Sequence, residues 1–391
     1  MKKLLTSVLT SALLLSALTS CGEKPTPEPT AEPSAQPTVE PTTEPTPAGV
    51  ELALVTDVGD IDDESFNQSS WEALRDYAVE NNKTYQYYRP TADSTDAREK
   101  AIKQAIDAGA KVVVCPGYLF EEAIYNLQGN YSNVKFLLLD GEPHTADYST
   151  YETKANTACV LYQEQVSGYL AGYAAVMEGY RSLGFCGGMA VPAVQRFGTG
   201  YLQGIDAAAN ELGVNATVNY YYAGAFQATD DATAKMKEWY GSGTEVVFAC
   251  GGKVYQSVVE GCNEKADGKW IGVDVDQVSV DPTRVLTSAT KGLRASVQAA
   301  LELYYADKWS EIGGKTANLG LGSTFGSLEA RDYVGLPTGT NSWKFATFTQ
   351  ATLETLMANI GNGSVVVSGD VENAPTLSSK TTVNYISAFA G

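Results

Sequence analysis

Histidine is almost missing from this chain of 391 residues, in which His144 stands alone. Any catalytic arrangement needing a second imidazole is excluded, and a zinc centre is disfavoured. Basic residues are few as well, 27 against 46 acidic, which leaves a net charge of −19. They are scattered, and a surface that tracks nucleic-acid phosphates needs a basic patch, so nucleic acid is disfavoured as a partner. The six cysteines form no C-x-x-C pair. Cys115, Cys186 and Cys250 end apolar, strand-like runs, and Cys159 and Cys262 lie in mixed surroundings, so these five read as buried thiols rather than ligands or disulfides. Phosphate-loop spacing is missing too. Gly187, Gly188, Gly198, Gly200 and Gly204 fit neither G-x-G-x-x-G nor G-x-x-x-x-G-K-[ST], and are expected to permit close strand-to-helix packing. The longest apolar run, residues 4–18, is too short to count as a spanning helix.

That run does have a reading. Lys2 and Lys3 precede it and LTSC (18–21) follows, the layout of a secretory signal (residues 1–20) ending in a sequence that resembles a bacterial lipobox. Cys21 is the expected lipidation site, which would anchor the protein to the outer face of a membrane. Residues 21–49 hold eight of the 15 prolines among Thr and Glu. They cannot bury a core and read as a solvated tether reaching up to about 80 Å at ~3.1 Å per residue.

From residue 50 onward strands and helices alternate. The apolar run 52–55 reads as a buried parallel strand ending near Asp57. Ser65 and Gln68, three apart, form a candidate capping box that makes Phe66 the first helical residue. Strands are expected at 84–89, 111–115 and 133–139, with helices at 95–108 and 119–128 between them. A second series follows: helix 163–178, strand 183–185, helix 197–212, strand 217–222, helix 230–239, and strands 245–249 and 270–273. The expected fold class is α/β, two doubly wound parallel-sheet lobes, with a cleft between them. Lobe 1 is expected to span about 50–155 plus about 290–325, and lobe 2 about 156–289 plus the C-terminal region. Ligands bind such sheets outside the carboxyl ends of the strands, where Asp57, Asp140, Gly251 with Gly252, and Asp274 all stand. Each of these also has a plain reading as a turn residue, and Asp62 and Asp63 as helix caps.

The segments LVTDVGDIDDESFNQ (54–68), GYLAGY (168–173), GGM (187–189), FGTGYLQG (197–204), IGVDVDQ (271–277) and LTSATK (286–291) together resemble the basic membrane protein family, the PnrA-like solute-binding lipoproteins of ABC transporters. The resemblance covers nearly all of residues 51–291. It implies a type I periplasmic-binding-protein fold with a hinge, crossed three times by the chain, and a nucleoside, usually a purine, held between the lobes. It further implies that Phe66 and Phe226 sandwich the base, that Asp57 and Asp140 meet its polar atoms, and that Gly251, Asp274 and Lys291 take the ribose, with Gly252 beside them. Exocyclic selectivity would come from Asp57, Asp140 or Asn67. Ser65 and Lys253 depart from the residues more usual at their positions. The carboxylate of Asp274 suits a vicinal diol, and Lys291 would keep it ionised. Phe226 also has a plain reading as core packing, and Lys291 as a surface lysine at a helix start.

The expected function is that of a monomeric, lipid-anchored receptor at the extracytoplasmic face of the cell membrane. It would bind a nucleoside without catalysis or cofactor and pass it to an ABC permease. Competing readings are a sugar- or flavin-type receptor of the same fold, and a secreted hydrolase using paired carboxylates among Asp57, Asp62 and Asp63.

Overall fold

A computed structural model describes residues 49–390 of the chain. The signal, Cys21 and the tether up to residue 48 lie outside the described residues. The first half-chain runs β1 (Leu52–Val55), α1 (Phe66–Glu80), β2 (Tyr85–Tyr88), α2 (Thr95–Asp107), β3 (Val112–Pro116), α3 (Glu121–Gln128), β4 (Lys135–Leu139) and β5 (Thr157–Tyr162). It continues with α4 (Glu164–Glu178), β6 (Ser182–Gly187), α5 (Pro192–Leu212), β7 (Ala216–Tyr222), α6 (Asp230–Gly241), β8 (Val246–Cys250), α7 (Tyr255–Cys262), β9 (Lys269–Asp274) and β10 (Val285–Lys291). The last stretch adds α8 (Leu293–Tyr305), β11 (Lys315–Leu319), β12 (Val334–Gly335), α9 (Gln350–Gly361) and β13 (Thr381–Tyr385).

These strands make two sheets, of order β11-β5-β4-β3-β1-β2 and β12-β10-β9-β8-β6-β7-β13. Every pairing is parallel except β10 with β12. Parallel central strands are covered by helices on both faces, which is why β1, β3 and β8 are apolar and buried throughout. β2, at an edge, is only half-buried. In the first lobe one face of the sheet packs on α1 and α8, the other on α2 and α3. In the second, α4, α5 and α9 cover one face and α6 and α7 the other.

The chain passes between the sheets three times, after β5, after β10 and after β11, the layout of a type I solute-binding fold. The first passage falls after Tyr162, one strand later than expected from sequence. TACVLY at β5 is a buried strand that pairs with β4 and β11 and so stays in the first sheet. In the C-terminal region a strand, β13, follows the last helix and pairs with β7 along the far edge of the second sheet. Cys115, Cys159, Cys186, Cys250 and Cys262 are all buried free thiols. Among the described residues no helix is long and apolar enough to cross a membrane.

The two lobes repeat one another at their carboxyl edges. β3 ends at Gly117 (φ +117°) and β8 at Gly251 (φ +133°), and each glycine starts a short 3-10 turn and then an eight-residue helix. An aspartate held in left-handed backbone follows β4 and ends β9, Asp140 at φ +62° and Asp274 at φ +64°. Non-glycine residues adopt that conformation at a cost of about 1–3 kcal/mol, and it concentrates where a side chain must be aimed at a ligand.

Candidate functional site

The turn after β1 is held by one buried carboxylate. Asp63 accepts from the backbone amides of Ser65 (2.9 Å), Gln68 (3.0 Å) and Asn67 (3.0 Å), and from Asn67 Nδ2 (3.2 Å). It therefore caps α1, and the expected Ser65–Gln68 box does not form: Gln68 Oε1 accepts from Glu64 N instead, while Ser65 Oγ leaves the helix altogether. Phe66 is nonetheless the first helical residue. Asn67 Nδ2 also donates to Asp57 Oδ1 (2.9 Å), which accepts from Gly59 N (2.7 Å). Two donors thus fix one oxygen of Asp57 and leave Oδ2 on the cavity side. Burial pushes this carboxyl up to about 6, against the pull of those two donors.

The opposing edge contributes Phe226, whose ring lies against Gly188 and Gly251 while its carbonyl oxygen and Cβ approach Gly252. A Cβ at Gly188 would fall 2.5 Å from that ring and one at Gly251 3.0 Å, so both glycines clear space for it. Phe226 is half-buried and packs on the core of its lobe with one side, which combines the two readings made of it from sequence. Asp57, Phe66, Asn67, Asp140, Phe226, Gly251, Gly252, Asp274 and Lys291 all line one cavity between the lobes, of about 70 Å³.

Lys291 is buried rather than on the surface, with its side chain 1% exposed. Its Nζ lies 2.5 Å from Asp140 Oδ2, 2.9 Å from Glu164 Oε1, and 4.8 Å from the centre of the Phe66 ring. Glu164, fully buried at the start of α4, also accepts from Arg196 Nε at 2.5 Å. Burial alone would favour neutral forms, but Asp140, Glu164 and Asp274 outweigh it and raise the Lys291 ammonium, while Arg196 and Lys291 outweigh it at Glu164 and hold that carboxyl below its ordinary range. For Asp140 burial wins, helped by Glu164, and pushes the carboxyl up to about 7. Its Oδ1 has no hydrogen-bond partner. The expected direct pairing of Lys291 with Asp274 is not present: Asp274 accepts from Ser65 Oγ at 2.5 Å, and Lys291 acts on it only through its field. Burial raises the Asp274 carboxyl.

Four polar contacts join the lobes across this cleft. They are Ser65 to Asp274, Gln277 Nε2 to Glu64 O (2.9 Å), Lys291 to Asp140, and, at the rim, Lys253 Nζ to Asp62 Oδ1 (2.8 Å) with Asp60 Oδ2 at 3.8 Å. The conformation is a closed one. Asp62 points to Lys253 and out of the cavity, so it and Asp63 serve the latch and the cap. Sequence reasoning missed Tyr118, Gln227, Phe197 and residues 191–194, which complete the walls. Tyr118 follows Gly117 as Gly252 follows Gly251, so the repeat between lobes was the signal that could have found it. Helix α5 begins at Pro192, five residues before its expected start, because Pro at the first helical position is a start signal rather than a break.

Residues 50–336 match the family model described as ABC transporter substrate-binding protein PnrA-like. The ABC transporter nucleoside-binding protein BmpA of Lactococcus lactis subsp. cremoris is 30% identical over 242 residues, 58% of this chain; the chain spans 64% of that protein's length. Basic membrane protein A1 of Borrelia garinii subsp. bavariensis is 26% identical over 69% of this chain and 77% of its own. Among solved structures, an ABC transporter solute-binding protein from Aeropyrum pernix K1 aligns with a TM-score of 0.63 at 20% identity, covering 82% of this chain and 88% of that one. Another from Conexibacter woesei aligns with a TM-score of 0.61 at 21% identity, over 82% and 99%.

Proposed function

The chain belongs to the PnrA-like family of ABC transporter substrate-binding proteins, and from that premise we propose that it closes its two lobes on a purine nucleoside and hands it to a membrane permease for import. The observation that carries this reading is the composition of one cavity: a phenyl ring from each lobe, Phe66 and Phe226, beside the strand-end carboxylates Asp57, Asp140 and Asp274. Two rings grip a planar heterocycle by its faces, and carboxylate oxygens without partners accept from its N–H edge and from sugar hydroxyls. The name of the Lactococcus relative points to the same ligand class.

In this reading Phe66 and Phe226 stack on the base. Asp57 Oδ2 and Asp140 Oδ1 receive its donors. Asn67, whose amide donors are already committed to Asp57 and Asp63, orients Asp57 instead of touching the base. On the ribose side Asp274 exchanges its bond from Ser65 for the diol, Lys291 donates to a ribose oxygen, and Gly251 and Gly252 let backbone approach the sugar. Closure is a hinge motion in which the ligand touches both lobes and so favours the state where they meet. The chain would be held to the membrane through a lipid on Cys21 and act as a monomer on its outer face. The carboxylate pairing that a hydrolytic reading drew among Asp57, Asp62 and Asp63 does not form, since Asp62 and Asp63 are occupied by Lys253 and by the α1 cap.

Titration calorimetry with inosine, guanosine, adenosine, cytidine and uridine is the test. Binding of a purine nucleoside, with no free base released on incubation, is expected. Silence toward all five, or a sugar or flavin identified by mass spectrometry of the protein as purified, would replace the ligand class. Phe66→Ala is expected to weaken purine-nucleoside binding by about 2 kcal/mol, roughly thirtyfold in Kd, from lost ring burial. Unchanged affinity would move the stacking site elsewhere.

A further inference from the structure

Lys291 reaches the cavity from the end of β10 with two carboxylates on it, although the ligand needs only the ammonium. We infer that Glu164, backed by Arg196, is a positioning residue for the binding site: it holds the Lys291 ammonium between two anions so that Asp140 keeps an oxygen free for the ligand. This rests on the reading of the cavity as the ligand site.

The geometry is an alternating buried row, Arg196, Glu164, Lys291, Asp140, in which positive and negative charges balance. Glu164 sits on the first residue of α4, where the chain has just crossed from the first sheet, and Lys291 on the last residue of β10, just before it crosses back. Asp140 belongs to the first lobe, and Arg196, on α5, to the second. The row thus spans both lobes and two of the three crossings. Lys291 Nζ directs its hydrogen bond to Asp140 Oδ2. Glu164 Oε1, at 2.9 Å, is within ion-pair reach and has no hydrogen-bond partner. Asp140 Oδ1 is likewise unpartnered and buried, on a residue that lines the cavity. One ammonium therefore faces two half-satisfied carboxylates. The ammonium carries three N–H groups, so one turns to Glu164 while another stays on Asp140 Oδ2, and Asp140 Oδ1 is left to accept from a bound ligand without any charge leaving the protein interior.

With Glu164 neutral, no second anion holds the ammonium, and its remaining N–H groups turn to the other oxygen of Asp140. Truncating a partner in a buried charged row is felt strongly because the interior screens little. The charged and titratable groups facing this row are Asp140 at the end of β4, Tyr162 on β5, Arg196 on α5, Cys250 at the end of β8 and Asp274 at the end of β9. Glu164 raises the Asp140 carboxyl and Arg196 lowers it, so removing the two charges must move Asp140 in opposite directions.

The test is a pair of variants, Glu164→Gln and Arg196→Gln, read in two ways. Carboxyl carbon NMR of Asp140 in the ligand-free protein is expected to show its titration midpoint falling by roughly half a pH unit or more in Glu164→Gln and rising in Arg196→Gln. Calorimetry with inosine and guanosine at pH 7 is expected to show binding about tenfold weaker in Glu164→Gln. A purely structural role for Glu164 would lower melting temperature without moving the Asp140 midpoint, and that result overturns the proposal, as does wild-type nucleoside affinity in Glu164→Gln. If wild type ignores nucleosides while the two midpoints shift oppositely, the ligand class falls and the positioning role stands. Should Glu164→Gln fail to fold, an Asp140 midpoint that does not rise in Arg196→Gln is enough to overturn it.

Discussion

Asp57 shows the conflict between holding a fold and holding a ligand. Burial lifts its carboxyl from 3.8 to about 6, so the folded protein binds this proton more tightly than the unfolded chain does. Stability is then highest below the unfolded value and falls as pH rises through the window from about 4 to 6, because the native state must carry a charge it solvates poorly. At about 1.4 kcal/mol per unit the loss is about 3 kcal/mol by neutral pH. Asp57→Asn keeps an acceptor for Gly59 N–H and Asn67 Nδ2, and is expected to stabilise the empty protein above pH 6 by up to that amount, with no gain near pH 4. Thermal melts of both proteins across this range check it; a constant difference would show that burial of charge is not the cause. The same variant is expected to bind its ligand more weakly, since the oxygen facing the cavity becomes an amide.

Among the elements, α4 and α5 are joined most intimately, and glycine is the reason. A Cβ on Gly168 or Gly172 of α4 would lie 2.1 or 2.3 Å from a carbonyl oxygen of α5, and one on Gly200 or Gly204 of α5 would lie 2.0 Å from a carbonyl oxygen of α4. The helices pack backbone to backbone with the glycines of each spaced four apart. Only Gly198 in that run faces a strand, against the Tyr220 hydroxyl, so the packing expected from sequence is chiefly helix against helix. The close approach brings Glu164 of α4 alongside Arg196 of α5 and so builds the back of the site. Because the obstacle is backbone and not a side chain that can rotate, Gly204→Ala must push the helices apart. We expect it to cost about 3 kcal/mol of stability, the upper part of the range for overpacking, measured by urea denaturation. A loss under about 1 kcal/mol would mean that the helices can slide apart cheaply.

For the molecule as a whole, the balance between open and closed lobes is set by the few contacts that exist only when they meet. Of these, Lys253 with Asp60 and Asp62 lies at the rim, where Asp62 is 76% exposed. Exposed ion pairs contribute up to about 1 kcal/mol and are screened by salt. Lys253→Ala is therefore expected to speed ligand release up to about fivefold at low ionic strength and to leave it nearly unchanged in high salt. Stopped-flow release at the two salt levels distinguishes this from a direct ligand contact, whose loss would persist at both. The buried contacts, Ser65 with Asp274 and Lys291 with Asp140, should show no such salt dependence, because mobile ions do not reach them.

The sequence by itself determined the alternation of strands and helices, the parallel sheets and the strand ends at which Asp57, Asp140, Gly251 and Asp274 stand. Those features follow from apolar runs and turn residues, which act over a few neighbouring positions. It could not determine which carboxylate a cation would choose. Lys291 and Glu164 are 127 positions apart, and Ser65 and Asp274 are 209 apart; nothing local marks either pair. Only the meeting of two sheets took Ser65 from its helix cap and left that cap to Asp63. The same meeting placed Lys291 between Asp140 and Glu164, because in a space closed to water a charge takes the nearest opposite charge, however distant along the chain.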